Sequence, residues 1–355
     1  MVYILAAILI FGVLIAVHEL GHFLAAKACG VTVHEFSIGM GPALYQKTKG
    51  ETAYSIRLLP IGGFCAMEGE EEDSDDPRAL NNQGFFRKLL IYAAGALMNF
   101  VAGLVILLVL YAGAQAFYTA EITDIDPGSD AAQAGGLQAG DVLISIDGER
   151  VYSRSNVTML LGMNKDGTYD FVVRRNGEKV KITDLAMERR EFPNANGEGT
   201  YVGFGFTMAG VEEADFFTRI RYSWNSAMDF VRMVRLSLEM LITGEAGVKD
   251  LSGPVGIVGT ITEVGQQSET VKAAVENIAY LAALIAVNLA VMNLLPLPAL
   301  DGGKIFFLAV NGACMLLFKR QIPSKFENYI HAAGFILLMI LMAVVMFQDI
   351  LKLFQ

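Results

Sequence analysis

Apolar positions in this chain gather into long unbroken runs. They do not follow the alternating or three-to-four-residue patterns of a water-soluble core. A helix that crosses a bilayer needs about 20 predominantly apolar residues. Four stretches meet that length: residues 1–28, 89–118, 277–303 and 331–351. The first has no Lys, Arg or Asp before Lys27, and the second contains no Asp, Glu, Lys, Arg or His. Neither a basic n-region nor an A-x-A site precedes the ionisable cluster of the first stretch, which therefore reads as an uncleaved span. The pattern changes over residues 119–210, where short β-like runs end in turn signals. Val142–Ile146 leads into Asp147-Gly148, and Phe171–Arg174 leads into Asn176-Gly177. Over residues 211–276 an amphipathic helix (Ala214–Leu241) follows, with Arg219, Arg221, Arg232 and Arg235 set among its apolar positions. It is suited to lie on a membrane or against protein. The expected fold is a polytopic α-helical membrane protein with four transmembrane helices and one inserted β-rich domain.

Composition supports this reading. The 355 residues are 54% hydrophobic and 18% charged, with a mean hydropathy of +0.44. Soluble domains carry about 25% charged residues. The net charge of −10 offers no electrostatic footprint for nucleic acid. Cys29, Cys65 and Cys314 are too scattered for a zinc ribbon or a disulfide framework. Basic residues set the orientation. The loop 29–88 holds Lys47, Lys49, Arg57, Arg78, Arg87 and Lys88, and the loop 304–330 holds Lys304, Lys319, Arg320 and Lys325. Both loops are expected in the cytosol. The two termini and the β-rich domain are expected on the outer side of the membrane. The acidic run Glu68–Asp76 reads as a solvated loop.

Ionisable side chains inside hydrocarbon mark function by default. The first span carries His18-Glu19-Leu20-Gly21-His22, an H-E-x-x-H pattern expected by chance about 0.003 times in a chain of this composition. Residues four apart share one helix face, so both imidazoles can grip one Zn²⁺ with Glu19 beside it as general base. A catalytic zinc takes a third protein ligand. Between Glu276 and Glu327 the sole acid is Asp301, just past a segment broken by Pro296 and Pro298. Asp301 comes to the same cytosolic side as His18, which the first span reaches after about 25 Å. His34, His331 and Asp349 are less well placed. Irregular backbone at membrane depth is tolerated where it is buried in protein or lines a wet cavity.

HELGH at 18–22 and NLLPLPALDGG at 293–303 together resemble the site-2 protease family of intramembrane zinc metalloproteases. The layout is similar to its bacterial RseP/RasP-type branch with one PDZ domain. The stretch 131–151 (AAQAGGLQAGDVLISIDGERV) resembles a bacterial PDZ core. The resemblance implies zinc held by His18, His22 and Asp301, and Glu19 as base and proton shuttle. It implies Asn293 as a polar contact to substrate or to the developing oxyanion. Arg57–Glu68 is similar to the family's re-entrant β-hairpin, placed at about 50–68, whose edge pairs with an unwound substrate helix. Gly62, Gly63 and Phe64 would then bind substrate, and an ordinary cytosolic hairpin is the alternative. Leu251–Val258 resembles a GPxG loop near substrate, with Pro254 in contact. Relatives with two tandem PDZ domains differ from this chain, whose residues 119–210 accommodate one.

The implied function is hydrolysis of peptide bonds in single-span membrane proteins, anti-sigma factors or remnant signal peptides, as a step of regulated intramembrane proteolysis. The PDZ domain would act as a size filter or grip a substrate tail. The alternative is a catalytically idle membrane PDZ scaffold with a structural metal. A metal transporter would need more polar residues in the second and fourth spans.

Overall fold

The computed structural model describes residues 2–70, 72–193, 199–320 and 322–352. In chain order the elements begin with α1 (Val2–Ala28), β1 (Val33–Lys49), β2 (Thr52–Met67) and α2 (Phe85–Tyr111). A β-rich stretch follows: β3 (Ala116–Tyr118), β4 (Ile122–Ile125), β5 (Val142–Ile146), β6 (Glu149–Arg150), α3 (Arg154–Met163), β7 (Thr168–Arg175), β8 (Glu178–Ala186), β9 (Arg190–Pro193), β10 (Thr200–Gly203), β11 (Phe206–Met208) and β12 (Val211–Glu213). Helices close the chain: α4 (Phe216–Thr243), α5 (Pro254–Gln267), α6 (Val271–Asn293), α7 (Asp301–Phe318) and α8 (Ser324–Lys352). The chain divides into two compact units, one of residues 1–107 with 230–355 and one of residues 108–229.

Among the described residues, five helices are long and apolar enough to cross a membrane: α1, α2, α6, α7 and α8. The sequence predicts four. The extra one is α7, which occupies a segment read as a cytosolic loop at 304–330. Its lysines and arginines sit at the ends, leaving Ile305–Phe318 uncharged. Other boundaries move as well, α2 and α8 starting at Phe85 and Ser324 rather than at 89 and 331. α2 stops at Tyr111, and Ala116–Tyr118 pairs with β12 instead of extending the helix to 118. α6 starts at Val271, where the Thr270 side chain accepts from the Ala273 N–H at 3.1 Å and caps a first turn too polar to read as membrane.

The first unit is built on close helix approach. α2 places Gly95, Asn99 and Gly103 four residues apart on one face. A Cβ on Gly103 would stand 2.8 Å from Val287 and 3.0 Å from the Ala283 carbonyl of α6, and one on Gly21 of α1 would stand 2.3 Å from the Ala94 carbonyl of α2. Small residues permit such contacts in lipid, where no hydrophobic drive pulls helices together. Ala7, Leu14, Ile261, Ile285 and Ala286 fill the junction of α1, α5 and α6.

The hairpin is longer than the sequence indicates: β1 begins at Val33, and both strands bend midway. Glu35–Ile38 pairs with Gly63–Ala66 on one side and with Ala53–Ile56 on the other, and Ala43–Lys49 pairs with Thr52–Arg57. Two bent strands therefore form four sheet segments, with Gly63–Met67 on one edge. Gly39, Gly41 and Gly62 take positive φ at the bends. Arg57 fastens them, donating to the Gly41 carbonyl at 2.7 Å and to Glu35 Oε1 at 2.6 Å. Burial works against the charge on Glu35, yet hydrogen bonds from Ser55 and Arg57 hold its carboxyl below the usual range.

The second unit centres on the antiparallel sheet β6-β5-β7-β8, with Ile146, Val157, Phe171 and Val173 buried. Asp147 and Gly148 take φ of 50° and 81°, as a two-residue hairpin turn requires. Arg175 donates twice to the buried Asp141 carboxylate, at 2.8 and 2.7 Å.

The segment expected as a GPxG loop is instead the start of α5, with Pro254 in the first turn. Asp349 of α8 is buried there and accepts from the Gly253 and Gly256 N–H groups at 2.9 and 2.8 Å. A Cβ on either glycine would stand 3.0 Å from that carboxylate. Asp349→Ala strands two donors, and we expect it to lower stability by about 1–3 kcal/mol, read as a lower unfolding temperature in detergent. Asp349→Asn, which keeps an acceptor, is expected to fall between the two.

Candidate metal centre

α1 presents His18 and His22 one turn apart, and the chain break after α6 delivers Asp301 to them. The Asp301 Oδ2 lies 3.1 Å from His18 Nε2 and 3.3 Å from His22 Nε2, and the two Nε2 atoms are 3.1 Å apart. Ligands about 2.0–2.1 Å from a tetrahedral zinc stand about 3.3 Å from one another, so the triangle has the size of one face of such a site. Asp301 Oδ2 is buried without a hydrogen-bond donor. That would be costly for an oxygen with no cation to meet. The residues fit zinc, and His18, His22 and Asp301 are the group among the described residues able to hold it.

The outer nitrogens of the imidazoles are also provided for. His22 Nδ1 lies 2.8 Å from the Ile91 carbonyl, so it carries the proton and leaves Nε2 bare for metal. His18 Nδ1 lies 3.4 Å from the side-chain amides of both Asn99 and Asn293. Both contacts are made by amide Nδ2, while Asn99 Oδ1 is buried with no partner; exchanging the two ends of the Asn99 amide would let Oδ1 accept from Nδ1–H and give that ring the same tautomer.

Space for the two rings comes from a missing side chain. A Cβ on Gly95 would stand 2.3 Å from His22 Nε2 and 2.7 Å from His18 Nε2. The Asp301 turn needs similar room. A Cβ on Gly302 would meet the Leu295 carbonyl at 2.2 Å, and one on Gly303 the Leu297 carbonyl at 2.3 Å. Ala299 adopts φ of 72°, which costs a residue with a Cβ roughly 1–2 kcal/mol. The compact turn places Asp301 in the first turn of α7, where the helix dipole favours a carboxylate.

Glu19, Phe64 and Asn293 line a cavity of about 810 Å³ together with His18, His22 and Asp301. Gly63 lies against Glu19, with 3.4 Å from its built Cβ position to Glu19 Cγ. Gly62 and Pro254 are not on the cavity wall; Gly62 forms the strand bend and Pro254 opens α5. Gly95, Asn99, Glu70 and Lys304 also belong to the site, as does His331, which the sequence offers only as a less well placed third ligand. Lys304 donates to Glu70 Oε1 at 2.8 Å on the cavity wall. Gly95 and Asn99 had a legible signal, a glycine and a lone amide on one face of an apolar span. Glu70 sat hidden in an acidic run.

Gly95→Ala pushes both imidazoles off the triangle. We expect zinc affinity, measured by chelator competition on purified protein, to fall at least about 100-fold. Gly259→Ala, whose Cβ has open space, is expected to bind as wild type does.

Comparisons with known proteins point to one family. The profile of peptidase family M50 matches residues 6–341. A Clostridium perfringens relative is 36% identical over 98% of both chains. The zinc metalloprotease RasP of Shouchella clausii is 30% identical over 99% of both. The regulator of sigma-W protease RasP of Bacillus subtilis is 28% identical, again over 99% of both. The chain is thus a multi-pass membrane zinc metalloprotease, and it belongs to peptidase family M50, the site-2 proteases.

Proposed function

We propose that the protein cuts peptide bonds within or beside the transmembrane segment of single-span membrane proteins, with His18, His22 and Asp301 as zinc ligands and Glu19 as general base. One observation carries this reading: the cavity that holds the ligand triangle and Glu19 is also walled by Phe64–Met67, the sheet edge that pairs with β1 on one side only. A helix shields its own peptide groups and must be extended before water can attack. An open strand edge supplies backbone partners for the extended chain.

Bound zinc supplies the Lewis acidity that activates water and polarises the scissile carbonyl. Glu19 takes the proton of the attacking water on a carboxylate oxygen and returns it to the leaving amine nitrogen. Asn293, 3.4 Å from His18 and on the cavity wall, serves both to orient that ring and to face the substrate carbonyl.

Four crossings suit the packing, with α7 on the cytosolic side. Gly303 and Phe307 meet His331, and Asn311 Oδ1 accepts from the Ile322 N–H at 2.9 Å. α7 therefore runs antiparallel to the first turns of α8, away from the apolar half of α8 that follows. With the basic loops inside, both termini and residues 108–229 lie outside. The tight β5–β6 hairpin and α3 support a PDZ reading of that unit, as a size filter or as a grip on a substrate tail. Anti-sigma factors and remnant signal peptides are the substrate classes that fit. The name of the Bacillus subtilis relative points to the first.

The test pairs wild type with Glu19→Gln on a tagged single-span substrate in detergent. We expect about one zinc in each protein, and cleavage slowed by about 10²–10⁴ in the variant. A variant that cuts as fast as wild type would defeat the mechanism.

A further inference from the structure

The Asp301 carboxylate receives no hydrogen bond among the described residues other than its contacts with the two imidazoles. Carboxylate ligands are ordinarily oriented by hydrogen bonds to the carboxylate itself. Here the aim of the side chain is inherited from its backbone, so whatever holds the turn holds the ligand.

α8 holds it. Ala299, in its left-handed conformation, donates its N–H to His331 Nδ1 at 2.9 Å. A Cβ on Gly303 would lie 3.1 Å from His331 Cε1, and one on Gly334 would lie 2.3 Å from Pro298 Cβ. His331 and Gly334 are three residues apart on one face of α8, and that face is the seat of the turn. Because Nδ1 accepts, the neutral ring carries its proton on Nε2. Nε2 has no hydrogen bond among the described residues, and Glu327 Oε1 is 4.0 Å away. The bond to Ala299 is therefore the imidazole's one hydrogen bond there.

We propose that His331 is a positioning residue for Asp301: its Nδ1 fixes the Ala299–Asp301 turn and so aims Asp301 Oδ2 at His18 and His22. The proposal rests on Asp301 being a zinc ligand, and the experiment separates the two. Wild type, His331→Leu, His331→Asn and Asp301→Ala are purified in detergent. Zinc affinity is measured by chelator competition, and unfolding temperature is measured on the metal-free forms. We expect His331→Leu to bind zinc roughly 10–100-fold more weakly. His331→Asn, whose amide oxygen can stand where Nδ1 stands, is expected to stay near wild type, and the metal-free forms to unfold alike. The proposal is overturned if His331→Leu binds as tightly as wild type, or if His331→Asn is as weak as His331→Leu. It is equally overturned if metal-free His331→Leu loses stability in step with affinity. Asp301→Ala with undiminished affinity would remove the ligand assignment instead.

Discussion

Everything at this site depends on bringing three side-chain atoms, of His18, His22 and Asp301, within 3.3 Å of one another from two remote parts of the chain. α1 supplies two of them by helical periodicity alone, but the rings need somewhere to stand. The approach of α1 to α2 through Gly21 and Gly95 provides that space, and α2 contributes no ligand at all. Its face then continues through Asn99, beside His18, to Gly103, against α6. One row of small residues thus sets the imidazole positions and docks the helix that leads to Asp301.

The second constraint is polar accounting in a dry interior. An unpaired polar group costs far more in lipid than in water, and the described residues mostly meet that requirement with short-range partners. The His22 ring is tied to the Ile91 carbonyl, Lys304 to Glu70, and the Asp349 carboxylate to the first N–H groups of α5. Among the buried atoms left without a partner, Asp301 Oδ2 stands out because it faces two imidazole nitrogens, where a cation belongs. The same rule accounts for the break after Asn293. Unwound backbone persists there because its N–H groups find partners, Leu297 and Leu300 on the Leu295 and Leu297 carbonyls and Ala299 on His331 Nδ1.

Much of this was legible in the sequence. The apolar runs, the HELGH spacing and the solitary acid beyond two prolines lead to the metal triangle, because each is local or nearly so. The four-segment sheet was not legible, since a bent strand that pairs on both sides leaves no periodic trace. Only its second half, Arg57–Glu68, stood out. α7 was missed because Asp301 and Lys304 at its start disguise an apolar helix as a charged loop. The GPxG stretch read as a loop because glycine and proline are turn residues. In the structure the proline opens a helix, and the glycines clear space for a carboxylate some ninety residues away in sequence.

α8 is the least embedded of the apolar helices, with 6% of its most apolar stretch buried in protein. Its lipid-facing surface is therefore solvated by acyl chains. Its 29 residues extend about 43 Å, well beyond a hydrocarbon core of about 30 Å, so it must tilt or overhang to fit. Asp349 ties one end to α5, and the turn that carries Asp301 leans on the other. A thinner or thicker membrane changes the angle of this lever about its tethered end. The helix that seats the Asp301 turn is thus also the one whose fit depends most on the surrounding hydrocarbon.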